Sequence, residues 1–133
     1  MGVSADKPAS KRAGGGQMNP EKLECVFFRT ASGEEPVRRW LKKLKQEDSA
    51  AIQVIGADLD RVQWQWPISK PLVGSLGDGL YEVRSSVGPV EYRVMFCVLG
   101  RQLVVLHGFK KKTRKTPNAD RELALRRKKE IDP

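Results

Sequence analysis

Arginine and lysine side chains in or directly after apolar strand candidates are the groups of this chain that could do chemistry. Arg84 and Arg93 interrupt two apolar runs, and Lys110 follows a third run that includes residues 104–106. An arginine in such a run is costly to bury unless it faces water or a partner. If the three side chains share a face, they form a cationic surface that binds a phosphodiester. Such a surface also stabilises the charge that builds on phosphorus when a ribose 2′-OH attacks in line.

A dense run of basic residues continues this surface. Five of the six residues 110–115 are Lys or Arg, and residues 110–130 hold ten Lys/Arg against three Asp/Glu. This segment therefore carries +7 of the net charge of +9. A concentrated patch of this sign suits a polyanion. Nucleic acid is the natural one, because each neutralised phosphate releases condensed counterions.

Two other polar residues near the basic surface have alternative interpretations. Glu82 is either the ion-pair partner of Arg84 or a general base, and the ion pair is favoured. The chain has one histidine, His107, which excludes a ribonuclease that uses a histidine pair within one chain. Strand alternation puts Arg84 on one face with Glu82, and it puts His107 and Lys110 on opposite faces.

Composition predicts one domain, residues 20–133, after a disordered leader, residues 1–19, rich in Ala, Gly, Ser and Lys. No apolar run approaches the roughly 20 residues that span a bilayer, so we expect no membrane segment. Cys25 and Cys97 lie in apolar runs without a Cys or His at metal-ligand spacing, which argues against zinc. Two buried, reduced thiols fit a cytoplasmic protein.

Two amphipathic helices are predicted in the first half of the domain. Residues 37–44 follow the period of a helix, preceded by a capping box of Ser32 and Glu35. Asp48 is the expected N-cap of a second helix, residues 49–65. The short link between them predicts an antiparallel helical hairpin.

Strand candidates flank this hairpin. One is residues 23–29, and three follow a Gly/Pro-rich loop, residues 71–79; these are residues 80–85, 90–99 and 102–110. Hairpin-length links make the last three antiparallel. A helix of residues 118–130 closes the chain, with Thr116 as its expected N-cap. The predicted order is β-α-α-β-β-β-α, an α+β domain whose antiparallel sheet carries the helical hairpin on one face.

Three segments resemble the RelE/HigB toxin superfamily, most closely its phage-derived, HigB-like branch. They are residues 79–84 (GLYEVR), 91–96 (EYRVMF) and 106–117 (LHGFKKKTRKTP), and the last is the most specific. The resemblance covers roughly residues 23–130. It implies a RelE-like fold of the microbial-ribonuclease type.

The same resemblance implies a toxin of a type II toxin–antitoxin pair, an endoribonuclease that cuts mRNA on the ribosome without metal or cofactor. Arg84 is implied in stabilising the transition state, and Lys110 and Lys111 in phosphate binding and proton transfer. Arg93 is implied in substrate contact or scaffold support. The further substrate-binding candidates are Lys112, Arg114, Lys115 and His107. The implied partners are mRNA on the ribosome and a cognate helix-turn-helix, HigA-like antitoxin.

The chain also departs from the RelE pattern. RelE has two lysines just before its strand arginine, where this chain has Leu80 and Glu82. Some relatives use a tyrosine or histidine near the C-terminus, but nothing aromatic follows Phe109 here. The sequence therefore does not identify the general base.

Three hypotheses remain open. The first is the ribosome-dependent mRNA endonuclease. The second is a non-catalytic nucleic-acid-binding or regulatory module with the same fold. The third treats the basic face mainly as a docking surface for an acidic antitoxin segment. Cleavage of RNA separates the first two hypotheses, because both need salt-sensitive RNA binding.

Overall fold

The chain forms a five-stranded mixed sheet with helices on both faces, as the computed structural model of residues 22–133 describes it. The elements are β1 (Glu24–Phe27), α1 (Pro36–Glu47), α2 (Ser49–Gln65), β2 (Val73–Gly77), β3 (Leu80–Val87), β4 (Val90–Leu99), β5 (Gln102–Lys111) and α3 (Asn118–Ile131). The predicted α+β class is confirmed. The predicted leader, residues 1–19, lies outside the described residues.

The strands lie in the order β1-β5-β4-β3-β2. β3, β4 and β5 are antiparallel neighbours, as predicted, but β1 pairs with β5 in parallel. The prediction of a wholly antiparallel sheet is therefore wrong. Tight turns fix the directions of β3, β4 and β5. No such turn joins β1 to β5, so the parallel pairing arises from contacts distant in the chain.

The predicted order also lacks one strand, because the sequence predicts a loop for residues 71–79. This segment contains β2, which pairs antiparallel with β3 and has an irregular register between Ser75 and Gly77. Glycines weaken the sequence signal for a strand. Here the pairing with β3 outweighs that low propensity. β2 becomes the edge of the sheet next to Arg84.

The helix starts agree in part with the sequence. α1 begins at Pro36 with Glu35 as N-cap, and no side-chain capping bond forms. The predicted capping box is wrong because the Glu35 carboxylate instead binds Arg29 and Arg38. Asp48 caps α2 as predicted, accepting a hydrogen bond from the backbone N–H of Ala51 at 3.2 Å.

Apolar clusters lie on both faces of the sheet. One lies between the sheet and the helical hairpin and includes Val37, Ile55, Val62, Val83 and Phe96. The other lies between the sheet and α3 and includes Leu80, Met95, Cys97, Leu106 and Ala124. The predicted hairpin on one face is therefore confirmed. Below, the first side of the sheet is called the hairpin face and the second the arginine face.

Candidate nucleic-acid interface

Arg84 and Arg93 lie side by side on the arginine face. They are direct partners in the pairing of β3 with β4, and Arg93 also pairs with Phe109 of β5. Directly opposed residues share a face of the sheet. Leu80 and Met95, which share this face, pack against α3. The face is therefore apolar beneath α3 and cationic farther along the same strands.

Lys110 does not join the two arginines. It pairs with Tyr92, whose ring is buried on the hairpin face. The condition that Arg84, Arg93 and Lys110 share one face is therefore not met. Lys111 takes the place expected for Lys110, because it pairs with Glu91 on the arginine face.

A bulge in β5 explains this difference. Met95 pairs with His107 and Phe96 with Val105, so Leu106 is an extra residue and the alternation reverses after it. Leu106 and Phe109 both pack in the cluster under α3, although strict alternation would separate them. Gly108 consequently faces the hairpin, where the ring of Trp40 lies against it. His107 is thereby brought to the arginine face.

Glu82 is the buried centre of the arginine face. Its side chain is 4% exposed, and its Oε2 atom lies 3.3 Å from Nε of Arg84 and 3.9 Å from Nε of Arg93. The favoured ion pair with Arg84 is thus confirmed. Its Oε1 atom accepts a hydrogen bond from the hydroxyl of Thr116 at 2.9 Å. One carboxylate therefore joins β3, β4 and the segment before α3.

The two arginines differ in what they can reach. Arg93 is 7% exposed, and its Nη1 donates to Glu91 at 2.9 Å and to the carbonyl of Tyr92 at 3.0 Å. Its buried Nε has no hydrogen-bond partner. Arg84 has a side chain that is 34% exposed. The geometry therefore suits Arg84 for contact with a ligand and Arg93 for holding the scaffold.

Glu91 completes the support around Arg93. It accepts hydrogen bonds from the Ser86 hydroxyl and from Arg93. Both bonds hold the pKa of the Glu91 carboxyl below its ordinary value, and the bond from Ser86 has the larger effect. Glu91 therefore stays negative at neutral pH beside an arginine that is almost entirely buried.

The segment of residues 112–117, called the basic linker below, connects β5 to α3. Lys112, Arg114 and Lys115 are exposed. Backbone carbonyls of the linker are bonded locally, because Lys111 donates to the carbonyl of Arg114 and Thr113 to that of Lys115. These two bonds shape the linker into a turn, and its cations are exposed to solvent.

Thr116 ties the linker to the sheet rather than capping α3. The N-cap of α3 is Pro117, and no side chain makes a capping bond there. The prediction of Thr116 as N-cap is wrong because its hydroxyl donates to Glu82 instead. The first turn of α3 is also held by Arg121, which donates to the carbonyl of Leu76 in β2 at 2.9 and 3.1 Å.

His107 links β5 to α3. Its Nε2 lies 2.5 Å from Oδ1 of Asp120, and its ring stacks on Phe109 at 5.5 Å between centroids. The chain has one histidine, and this contact occupies one of its two ring nitrogens. The arrangement suits a structural contact at the start of α3.

An open pocket of about 470 Å³ lies between α2, the turn before β2 and the ends of β3 and β4. Arg84, Arg93, Asp58 and Arg61 are among its lining residues. Sequence reasoning missed Asp58 and Arg61, because helix periodicity gave no signal that α2 borders this site. It also missed Gly74, against which the guanidinium of Arg84 lies.

A separate group of cations lies on α1, which packs against the hairpin face. Arg38, Arg39 and Lys42 are exposed around Glu35, together with Arg29, and line an open pocket of about 320 Å³. Hydrogen bonds from Arg38 and then Arg29 hold the pKa of Glu35 below its ordinary value. These α1 cations therefore form a solvated helix surface.

Residues 22–133 contain no group of three or more His, Cys, Asp or Glu side chains arranged to hold a metal ion. In the same part of the chain, no helix is long and apolar enough to cross a membrane.

A comparison with known protein families gave a match. Residues 39–129 match the family model described as phage derived protein Gp49-like (DUF891), which is more than half of the chain. A search of curated proteins found no match. The matched range includes both arginines and the basic linker. The chain therefore belongs to the phage-derived Gp49-like family, a RelE-like family associated with toxin–antitoxin systems.

Proposed function

We propose that this protein is the toxin of a type II toxin–antitoxin pair and cuts mRNA on the ribosome, which inhibits translation and growth. The observation that carries the proposal is Arg84. Its guanidinium is one-third exposed, is fixed at Nε by Glu82 and lies on the face crossed by the basic linker. Membership of a toxin–antitoxin-associated family supports the same function.

The proposed chemistry is attack of a ribose 2′-OH on the adjacent phosphorus, which expels the 5′-oxygen and leaves a 2′,3′-cyclic phosphate. Because Nε of Arg84 is held by Glu82, its Nη groups are the donors left to bind phosphate oxygens. The planar guanidinium matches these oxygens and stabilises the negative charge of the transition state. The attacking group belongs to the substrate, and its proton passes overall to the departing 5′-oxygen. We propose that no metal takes part in this step.

The lysines have separate roles in this proposal. Lys111 lies on the arginine face and binds phosphate or transfers a proton, whereas Lys110 lies on the other face. Lys112, Arg114 and Lys115 bind the RNA backbone from the linker. Arg93 supports this surface from within the sheet.

We propose dependence on the ribosome because, among residues 22–133, the carboxylates and the histidine near Arg84 are already bonded within the protein. His107 is bonded to Asp120, and Glu82 is bonded to Arg84 and Thr116. A ribosome that holds the mRNA in an attack geometry supplies much of the rate enhancement without a general base from the protein. We propose that the protein acts in the cytoplasm, where a cognate helix-turn-helix, HigA-like antitoxin neutralises it.

Glu82 and His107 are both bonded within the protein, so neither is free to accept a proton from RNA. This favours a second candidate function, a non-catalytic nucleic-acid-binding or regulatory module. In that case, Arg84 and the linker bind RNA without cutting it. Induced expression in bacteria, followed by primer extension on an abundant mRNA, tests the first candidate. In-frame cuts with growth arrest support it. A soluble, folded protein that causes neither would favour the binding module.

A further inference from the structure

The basic linker and Arg84 are far apart in sequence but are joined through one carboxylate. Glu82 holds Arg84 through Oε2 and Thr116 through Oε1. Thr116 lies 34 positions after Glu82 in the sequence. Because Glu82 is buried, water competes poorly for either contact. The position of the linker is therefore coupled to the group that fixes Arg84.

The other bonds of the linker do not provide this coupling. The hydroxyl of Thr113 and the ammonium group of Lys111 bond to linker carbonyls, so these bonds only shape the turn. The ties at Asp120 and Arg121 hold the first turn of α3 to β5 and β2. Thr116 alone among these residues joins the linker itself to β3, the strand of Arg84.

We propose that Thr116 and Glu82 are positioning residues that hold the basic linker over the arginine face, so that Arg84 and the linker cations engage one RNA strand together. The inference rests on the proposed function only for its ligand, RNA. Thr116 acts through Glu82 and does not itself touch the substrate. Without its hydroxyl, the linker keeps its charge but loses its fixed distance from Arg84.

The experiment is a double-mutant cycle on RNA binding by the full chain. The probe is a single-stranded RNA oligonucleotide with 2′-O-methyl riboses, which lack the attacking hydroxyl and therefore cannot be cut. Fluorescence anisotropy measures Kd for the wild type, Arg114→Gln, Thr116→Val and the combined variant, at several salt concentrations. Thermal unfolding checks that each variant is folded, and Thr116→Ala repeats the test if Thr116→Val is not.

We expect Arg114→Gln to weaken binding about fivefold in the wild type and less than about twofold in the Thr116→Val background. Thr116→Val should also lower the slope of log Kd against log salt concentration by roughly 0.7 for each phosphate that the linker cations cease to neutralise. Thr116→Ser keeps the hydroxyl and should restore wild-type binding. A merely structural role for Thr116 would change the unfolding temperature without changing the effect of Arg114→Gln.

Equal effects of Arg114→Gln in both backgrounds would overturn the inference. So would a Thr116→Ser variant that binds as weakly as Thr116→Val, or a folded wild type that does not bind the probe. A wild type that binds with this coupling but never cuts mRNA would contradict the proposed nuclease and leave the positioning role intact.

Discussion

Gly74 of the edge strand β2 lies directly against the guanidinium of Arg84. A Cβ atom at residue 74 would come too close to the end of that side chain. Glycine in a strand commonly marks such a close approach. Gly74 therefore has two effects. It weakens the sequence signal for β2, and it leaves room for Arg84, the arginine of the proposed site.

Gly74→Ala should displace Arg84 while leaving the fold intact. The new methyl group would clash with the guanidinium of Arg84, which is the end of a flexible side chain. We therefore expect the free energy of unfolding to fall by only about 1 kcal/mol. Toxicity on induced expression should fall sharply. Gly56→Ala is the matched control, because a Cβ there meets nothing within 4 Å and α2 gains about 1 kcal/mol from alanine. Full toxicity of a folded Gly74→Ala protein would contradict the importance of this placement.

The two neighbouring lysines at the end of β5 should differ in their effect on RNA binding. Lys111→Ala removes a cation from the arginine face, whereas Lys110→Ala removes one from the hairpin face. We expect Lys111→Ala to weaken RNA binding about tenfold and Lys110→Ala less than about threefold. Anisotropy titrations at low salt measure both. A larger effect of Lys110→Ala would show that the bulge does not determine which lysine meets RNA.

His107 should behave as a tie between β5 and α3. His107→Ala is expected to lower the free energy of unfolding by about 1 kcal/mol, because it removes the bond to Asp120. The effects of His107→Ala and Asp120→Ala should not be additive in chemical denaturation. His107→Gln keeps a hydrogen-bonding group and should stay toxic. A folded, non-toxic His107→Gln variant would instead give His107 a direct role in binding or cleavage.

Both thiols should react slowly in the folded protein. Burial raises the pKa of Cys25 and of Cys97 to about 11, so each is overwhelmingly protonated at pH 8. Raising the pH toward 11 should therefore increase alkylation of any thiol that the reagent reaches. Mass spectrometry after iodoacetamide treatment at pH 8 should find little modification unless the chain is first unfolded in urea. Rapid alkylation of native protein would contradict the burial.

The features that could be predicted from the sequence are those that local chemistry decides. Asp48 could be predicted as a helix cap because an aspartate before an apolar helical stripe satisfies the first backbone N–H groups. The shared face of Arg84 and Glu82 follows from the two-residue period of one strand. Both predictions depend only on residues close together in the chain.

The missed features depend on contacts between distant residues. Nothing local marks the bulge at Leu106, yet it exchanges the faces of His107 and Lys110. β2 is a strand because β3 pairs with it, and β1 is parallel because of its contacts with β5. Thr116 has the residue type and position of an N-cap, but its hydroxyl donates a hydrogen bond to the buried carboxylate of Glu82 instead.

The most direct test of the nuclease uses purified ribosomes carrying a defined mRNA. Wild type, Arg84→Ala and Lys43→Ala are added in separate reactions. Lys43→Ala is the control, because it removes one positive charge from the exposed side of α1. The proposal expects discrete cuts ending in 2′,3′-cyclic phosphate with wild type and Lys43→Ala. It also expects a loss of at least about a hundredfold in rate with folded Arg84→Ala. No cutting by wild type, or equal cutting by Arg84→Ala, would contradict the central role of Arg84.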